Sequence, residues 1–245
     1  MPKFFAPEID LREEYIVLSG GNADHLRVLR VRAGEELTVS DGRGREARCV
    51  VELAGKDSCR LRVLERMSAT GEPTVRAAVY AACPKGDKAE LIVQKAVELG
   101  ADSIVFFLSE RCVSRPDEKA SAGKIARLEK IAEAAAMQSG RGKIPAVRWI
   151  PKFADMLSEV ACSEMAAFLW EDAAGLSLRS MMQTRLPFHS AAIITGPEGG
   201  FSPEEAEKAR LAGIPAVTLG ARILRCETAP LCALTAVMYE TGNLE

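Results

Sequence analysis

Apolar and polar positions follow two different rhythms along the chain. Through about residue 67, apolar residues come in short alternating runs at Tyr15–Leu18, Glu36–Ser40, Glu46–Leu53 and Ser58–Glu65. A period of two predicts half-buried strands. Asp41-Gly42-Arg43-Gly44 supplies a hairpin turn between the second and third runs, and a short helix is predicted over Asn22–Leu29. The outline is a small β-rich barrel. From Thr74 the rhythm changes. Strand-like runs at Thr74–Ala82, Ile104–Leu108, Met165–Glu171, Ala191–Thr195 and Ala216–Leu219 are interleaved with helical segments at Asp87–Leu99, Ser121–Gln138 and Leu231–Thr241. Strand alternating with helix indicates an α/β fold on a largely parallel sheet. The small, polar, proline-ended stretch Met67–Pro73 separates the two patterns, giving domains at 1–70 and 74–245.

Two loops interrupt the second pattern in an unusual way. Ile193-Ile194-Thr195-Gly196-Pro197-Glu198-Gly199-Gly200-Phe201-Ser202-Pro203-Glu204-Glu205 reads as a buried strand, a glycine-rich turn and a helix start. Ser202 and Glu205 have the spacing of a capping box, and Pro203 falls where its missing N–H costs nothing. Gly199 and Gly200 permit positive φ and close approach of backbone to a ligand. Leu219-Gly220-Ala221-Arg222-Ile223-Leu224-Arg225-Cys226-Glu227-Thr228-Ala229-Pro230 repeats the sequence of strand, loop and helix, with Thr228 as N-cap. One such loop is a turn; two at the carboxyl ends of strands form a site where open α/β sheets bind ligands. A third glycine pattern, Gly42-Arg43-Gly44-Arg45-Glu46-Ala47, fits the dinucleotide fingerprint in letters only. A strand-like run follows it where the fingerprint requires a helix.

Composition narrows the class. Hydrophobic residues make up 48% and charged residues 27% of the chain, as in soluble globular proteins. No apolar run is long enough to suggest a membrane span, and the N-terminal segment lacks an apolar signal core, so a cytoplasmic protein is expected. Seven cysteines without a C-x-x-C pair fit neither a disulfide framework nor a zinc site and imply buried reduced thiols; no metal is expected. The net charge of −2 argues against a uniformly basic nucleic-acid binder. Residues 151–245 carry 7 basic and 12 acidic groups, so any nucleic-acid contact must draw on the first two-thirds of the chain.

The pair GPEGGFSPEE and LGARILRCETAP closely resembles the C-terminal motifs of the RsmE family. These are bacterial methyltransferases acting on N3 of a uridine in 16S ribosomal RNA. Further echoes are His25-Leu26-Arg27-Val28-Leu29-Arg30, Lys85-Gly86-Asp87-Lys88 with Gln94–Gly100, and Glu133–Arg141. The resemblance implies a SPOUT α/β trefoil-knot domain preceded by a small PUA-like β-barrel domain. It also implies S-adenosylmethionine as methyl donor, ribosomal RNA within the small ribosomal subunit as partner, and a homodimer. Met137 stands where the family often has an acidic residue, so no chemistry is assigned there. The helix Leu231–Thr241 carries Leu231, Leu234, Val237, Met238 and Tyr239, more apolar surface than one sheet-facing side needs, and by resemblance packs against the partner subunit.

A pocket for the donor needs bare backbone for the adenine edge and apolar walls for its faces. Gly196, Pro197, Gly199, Gly200 and Gly220 offer the first; Leu169, Leu219, Ile223 and Leu224 offer the second. A phosphate at the start of the helix is an alternative, opposed by Glu198, Glu204 and Glu205. Uridine N3 must lose a proton, so the developing anion must be stabilised or the proton accepted. Arg225 stays charged and is assigned to the uracil anion or to a phosphate. Glu198 is the candidate acid–base partner, Glu227 a weaker one; complementing a helix dipole explains either residue equally. For RNA, the candidates are His25, Arg27, Arg30 and Arg141. Each has a plain alternative: His25 can satisfy a turn, Arg27 and Arg30 can be a solvated face, and Arg141 can cap helix carbonyls. A non-catalytic RNA-binding or ribosome-assembly factor on the same fold is the rival reading, with a nucleotide-phosphate enzyme as a third.

Overall fold

The computed structural model describes residues 1–173 and 175–244. It divides into two compact units. Unit 1 comprises Met1–Glu72 with Ala136–Ile144, and unit 2 comprises Pro73–Ala135 with Pro145–Glu245. The assignment of residues 136–144 to the first unit has no counterpart in the sequence pattern.

Unit 1 is a mixed, curled five-stranded sheet in the order β1-β3-β4-β5-β2. Its strands are β1 (Lys3–Phe5), β2 (Tyr15–Ser19), β3 (Glu36–Ser40), β4 (Arg45–Ala54) and β5 (Ser58–Ser68), with helix α1 (Gly21–Val28) after β2. The run that imitated a dinucleotide fingerprint is the turn into β4. The alternation in β2 buries Ile16 and Leu18 and exposes Tyr15, Val17 and Ser19. With Phe4, Leu26, Leu37, Val39 and Leu61 they form the core of this unit. The segment 136–144 is bound in by backbone. Gly44 N donates to Gly142 O at 3.1 Å and Ile144 N to Gly42 O at 3.1 Å. A Cβ on Gly142 would lie 2.0 Å from that of Ala69, so only glycine fits.

Unit 2 is a six-stranded parallel sheet in the order β11-β9-β10-β6-β7-β8. The strands are β6 (Arg76–Ala82), β7 (Ser103–Phe107), β8 (Ala146–Ile150), β9 (Met165–Leu169), β10 (Ser190–Thr195) and β11 (Ala216–Val217). The central strands β6, β9 and β10 are buried almost throughout, as expected where helices cover both faces. The helices are α2 (Lys88–Glu98), α3 (Glu118–Gln138), α4 (Phe153–Val160), α5 (Leu178–Arg185), α6 (Pro203–Leu211) and α7 (Thr228–Glu240). On one face α7 packs on β6 and β10, and α2 packs on α7. The other holds Tyr80, Phe107, Phe168 and Ile194 against Met156, Val160 and Ala209 of α4 and α6.

Helix α7 uses its apolar surface differently from expectation. Leu234, Val237 and Met238 are fully buried within unit 2, leaving Cys232, Thr235 and Tyr239 exposed. The surplus inferred from sequence is therefore mostly consumed by the chain itself. Five of the seven thiols are buried, but Cys162 and Cys232 are exposed.

Candidate active site

Three loops leave the carboxyl ends of the neighbouring strands β10, β9 and β11 and enclose a cavity of about 660 Å³. That volume suits a small ligand. Bare backbone comes from Gly196, Pro197, Gly200 and Gly220, and apolar wall from Leu169, Leu219 and Leu224. The charged residues on the wall are Lys88, Glu171, Glu198, Arg222 and Arg225.

The β10–α6 loop is fixed at both ends. Gly200 N donates to Pro197 O at 3.0 Å, and Gly200 itself has φ of +66°. Phe201 follows directly and is buried, stacked on Phe168 with ring centroids 4.2 Å apart. Ser202 and Glu205 form the capping box that opens α6. Glu110 couples to both: its Oε2 accepts from Ser202 Oγ at 2.8 Å, and its N–H donates to Glu205 Oε1 at 2.8 Å. Glu205 is thereby spent on the helix start. Neither it nor Glu204 lines the cavity.

Charge concentrates at Lys88, the first residue of α2. Its ammonium lies 2.9 Å from Glu198 Oε1, 3.4 Å from Glu227 Oε2 and 3.7 Å from Cys226 Sγ. Glu198 also accepts from the backbone N–H of Lys85 at 3.0 Å. Burial alone would raise the Glu198 carboxyl, but Lys88 and the backbone donors outweigh it and bring the pKa down to about 2. Cys226 moves the other way. Burial, then its hydrogen bond to Glu227, pushes the thiol up to about 12, so it stays neutral.

In the β11–α7 loop, Arg225 gives its backbone to the helix, its carbonyl accepting from Thr228 N and Ala229 N at 2.9 Å each. The cap residue of α7 is Glu227, with Thr228 the first helical residue, one step earlier than the spacing suggested. The Arg225 side chain is exposed at the cavity wall with no hydrogen bond or ion pair among the described residues. Trp170, also on the wall, has its indole N–H buried and unpaired. An acceptor on a bound ligand is one way to satisfy such a donor.

The family model for the RNA methyltransferase domain matches residues 71–238, and that for the RNA methyltransferase PUA domain matches residues 18–64. Ribosomal RNA small subunit methyltransferase E of Bacillus subtilis is 35% identical over 234 residues, which cover 93% of this chain and 91% of that protein. The chain belongs to the ribosomal RNA small subunit methyltransferase E family. The Mycobacterium bovis member is 38% identical over 236 residues, covering 93% of this chain and 87% of its own length. The crystal structure of the Neisseria gonorrhoeae member bound to S-adenosyl methionine matches with a TM-score of 0.87, at 32% identity and 98% coverage of both chains.

Of the cofactor and catalytic candidates singled out from sequence, all but Gly199 and Glu227 line one cavity. Three residues, Gly199, Glu198 and Arg141, need correction. Gly199 is absent from the lining. It lies against the loop after β7, where its carbonyl accepts from Arg111 at 3.1 Å and an added Cβ would be 3.3 Å from Arg111 Cβ. Ile223 does line the cavity, at its open edge, where it is 85% exposed. Glu198, held as a carboxylate by Lys88, is a poor proton acceptor near neutral pH. Arg141 is buried in unit 1, where its guanidinium pairs with Glu72 at 2.8 Å. Glu72 accepts the N–H groups of Gly142 and Lys143 as well, at 3.0 and 3.1 Å, so the arginine braces this segment and does not face a phosphate.

The other RNA candidates are on the surface. His25 is exposed and packs edge-on against Phe4, with ring centroids 5.3 Å apart. Arg27 pairs with Asp24 at 2.8 Å, an exposed contact of little energetic weight. Arg30 is exposed and has φ of +57°. Sequence reasoning missed Lys88, Glu171 and Trp170. The phrase Lys85-Gly86-Asp87-Lys88 was noticed, but nothing in it revealed where the second lysine points.

Proposed function

We propose that this family member methylates N3 of a uridine in 16S ribosomal RNA of the small subunit, with S-adenosylmethionine as donor. The observation that carries the proposal is the composition of the cavity: bare loop backbone, aliphatic walls, and the carboxylates Glu171 and Glu198 at the ends of three adjacent parallel strands. Glu198 is already paired with Lys88, so Glu171 is the carboxylate that favours a cationic ligand beside the loop backbone, while Arg222 and Arg225 stand on the exposed part of the wall. When bound, the donor supplies an electrophilic methyl group on a cationic sulfur.

The chain's own contribution is positioning and charge. Gly196, Pro197 and Gly220 present backbone donors and acceptors, while Leu169, Leu219 and Leu224 exclude water. The Arg225 guanidinium stabilises the negative charge that develops on the uracil as N3 gives up its proton. Among the described residues no histidine lines the cavity and Glu198 is already paired with Lys88, which leaves Glu171 and solvent as acceptors for that proton. The exposed face of His25, Arg27 and Arg30 on unit 1 contacts the RNA backbone. The first unit acts as the PUA-like RNA-binding domain and the second as the knotted SPOUT catalytic domain, working in the cytoplasm as a homodimer. For the dimer, support from α7 is confined to its outer face around Cys232, Thr235 and Tyr239.

The test is isothermal titration with S-adenosylmethionine and with ATP, followed by methyl incorporation into small subunits and mass mapping of the modified base. Donor binding and a 3-methyluridine product are expected. Absence of incorporation despite RNA binding would favour the non-catalytic assembly factor.

A further inference from the structure

We propose that Lys88 is a positioning residue that fastens together the two loops walling the donor pocket, holding Glu198 of one and Glu227 of the other on a single ammonium. The role rests on the methyl-donor reading of the cavity, but its mechanical part can be tested without the donor.

Lys88 stands where local preference would not put it. It opens α2, and a cation at a helix N-terminus opposes the helix dipole. Two carboxylates offset that cost, at 2.9 Å and 3.4 Å, and they come from different loops: Glu198 from β10–α6, Glu227 from the end of β11–α7. The side chains of all three are largely shielded, at 28%, 27% and 16% exposure, so the contacts are less screened than surface pairs. Cys226 completes the cluster, its thiol donating to Glu227 Oε2 at 3.2 Å.

The β11–α7 loop needs such a fastening. Thr218, at its start, is tied to the entry of α5 by hydrogen bonds with Leu176 and Leu178. Between there and Cys226, Gly220, Ala221, Arg222, Ile223 and Arg225 are all exposed. A stretch with so little buried contact opens readily unless its far end is held. Both carboxylates reach the same ammonium, at 2.9 and 3.4 Å, so without it Glu198 and Glu227 are left as neighbouring like charges. Their repulsion would part the walls that carry Pro197 on one side and Leu224 on the other.

The experiment compares Lys88→Met, Lys88→Arg and the triple variant Lys88→Met/Glu198→Gln/Glu227→Gln with the parent chain. Hydrogen exchange over residues 218–226 and titration with S-adenosylmethionine are the readouts. K88M should speed exchange in that stretch and weaken donor binding on the order of tenfold or more. K88R should restore both, because charge and reach are kept. The triple variant should recover part of the donor affinity, because the repulsion is gone. A lysine needed only for folding would give no recovery there. Equal exchange and equal affinity in K88M and the parent would overturn the proposal. If K88M does not fold, Glu227→Gln severs the same link from the other side, and unchanged exchange in that variant would overturn it equally. Failure of the parent chain to bind S-adenosylmethionine would count against the donor reading, while the exchange comparison still decides on the fastening.

Discussion

Arg30 is held in a conformation that arginine does not favour, and replacing it should move stability and RNA binding in opposite directions. Helix α1 ends in a Schellman motif: Val31 N donates to Leu26 O at 3.1 Å and Arg30 N to Arg27 O at 3.0 Å. The position between is normally glycine because its φ is positive. Here it is Arg30 at +57°, the one non-glycine residue with positive φ among those described. A left-handed residue with a Cβ costs roughly 1–2 kcal/mol. Glycine removes that strain but returns roughly 0.4–1 kcal/mol to the unfolded chain as entropy. Arg30→Gly should therefore stabilise unit 1 by about 0.5–1 kcal/mol, measured by urea unfolding. If the guanidinium meets a phosphate, the same change removes one ionic contact and lowers the log–log salt slope of RNA binding by roughly 0.7–0.9. The assay is fluorescence anisotropy with a labelled ribosomal RNA fragment over a salt series. A stabilised protein with an unchanged salt slope would show that the strained arginine has no part in RNA binding.

Three further outcomes follow from the pocket. Gly200→Val should keep a cooperative melt but weaken donor affinity at least tenfold, since the residue has φ of +66° and its Cβ would sit 1.9 Å from Glu171 Oε1; unaltered affinity in a titration would remove this turn from the site. Arg225→Ala leaves the backbone cap of α7 in place and should retain donor binding while methyl incorporation falls on the order of a hundredfold; near-normal incorporation would assign the uracil anion to another residue. Glu198 has a folded pKa of about 2, below its ordinary 4.5, so its stabilisation is present above pH 4.5 and lost as pH falls towards 2. Glu198→Gln should accordingly cost on the order of 1 kcal/mol at pH 6 and much less at pH 2.5, and a pH-independent gap between the two melting curves would contradict that.

Much of the fold was legible because its signals are local. The capping box at Ser202 and Glu205 needs only four adjacent residues, and the buried runs of β6, β9 and β10 declare themselves by unbroken hydrophobicity. The elements passed over are short: β1 has 3 residues, β8 has 5, and α4 and α5 have 8 each. Over such lengths the period of an apolar pattern cannot separate strand from helix. The placement of residues 136–144 was out of reach for a different reason. It depends on Glu72 accepting from Arg141, a partner 69 positions away, and on Gly142 fitting against Ala69. A glycine-flanked arginine at a helix end looks available in sequence, and only the partner shows that it is taken.

The same distinction explains what the site revealed and what it hid. Both glycines of the Gly199-Gly200 pair invite the same inference from sequence, yet they do different work. Gly200 needs positive φ and lies beneath Glu171, on the cavity side. Gly199 needs room for Arg111 on the other side of the loop. A single loop is thus shaped from two directions, by Glu171 on the cavity side and by Arg111 of the β7–α3 loop on the other. Lys88 was hidden more completely. Its link to Glu198 spans 110 positions, and a lysine beginning a helix looks like a surface residue with an unfavourable dipole contact. That local misfit was itself the signal. A residue placed against its preference implies a compensating partner, and the structure supplies two, Glu198 and Glu227, from two different loops.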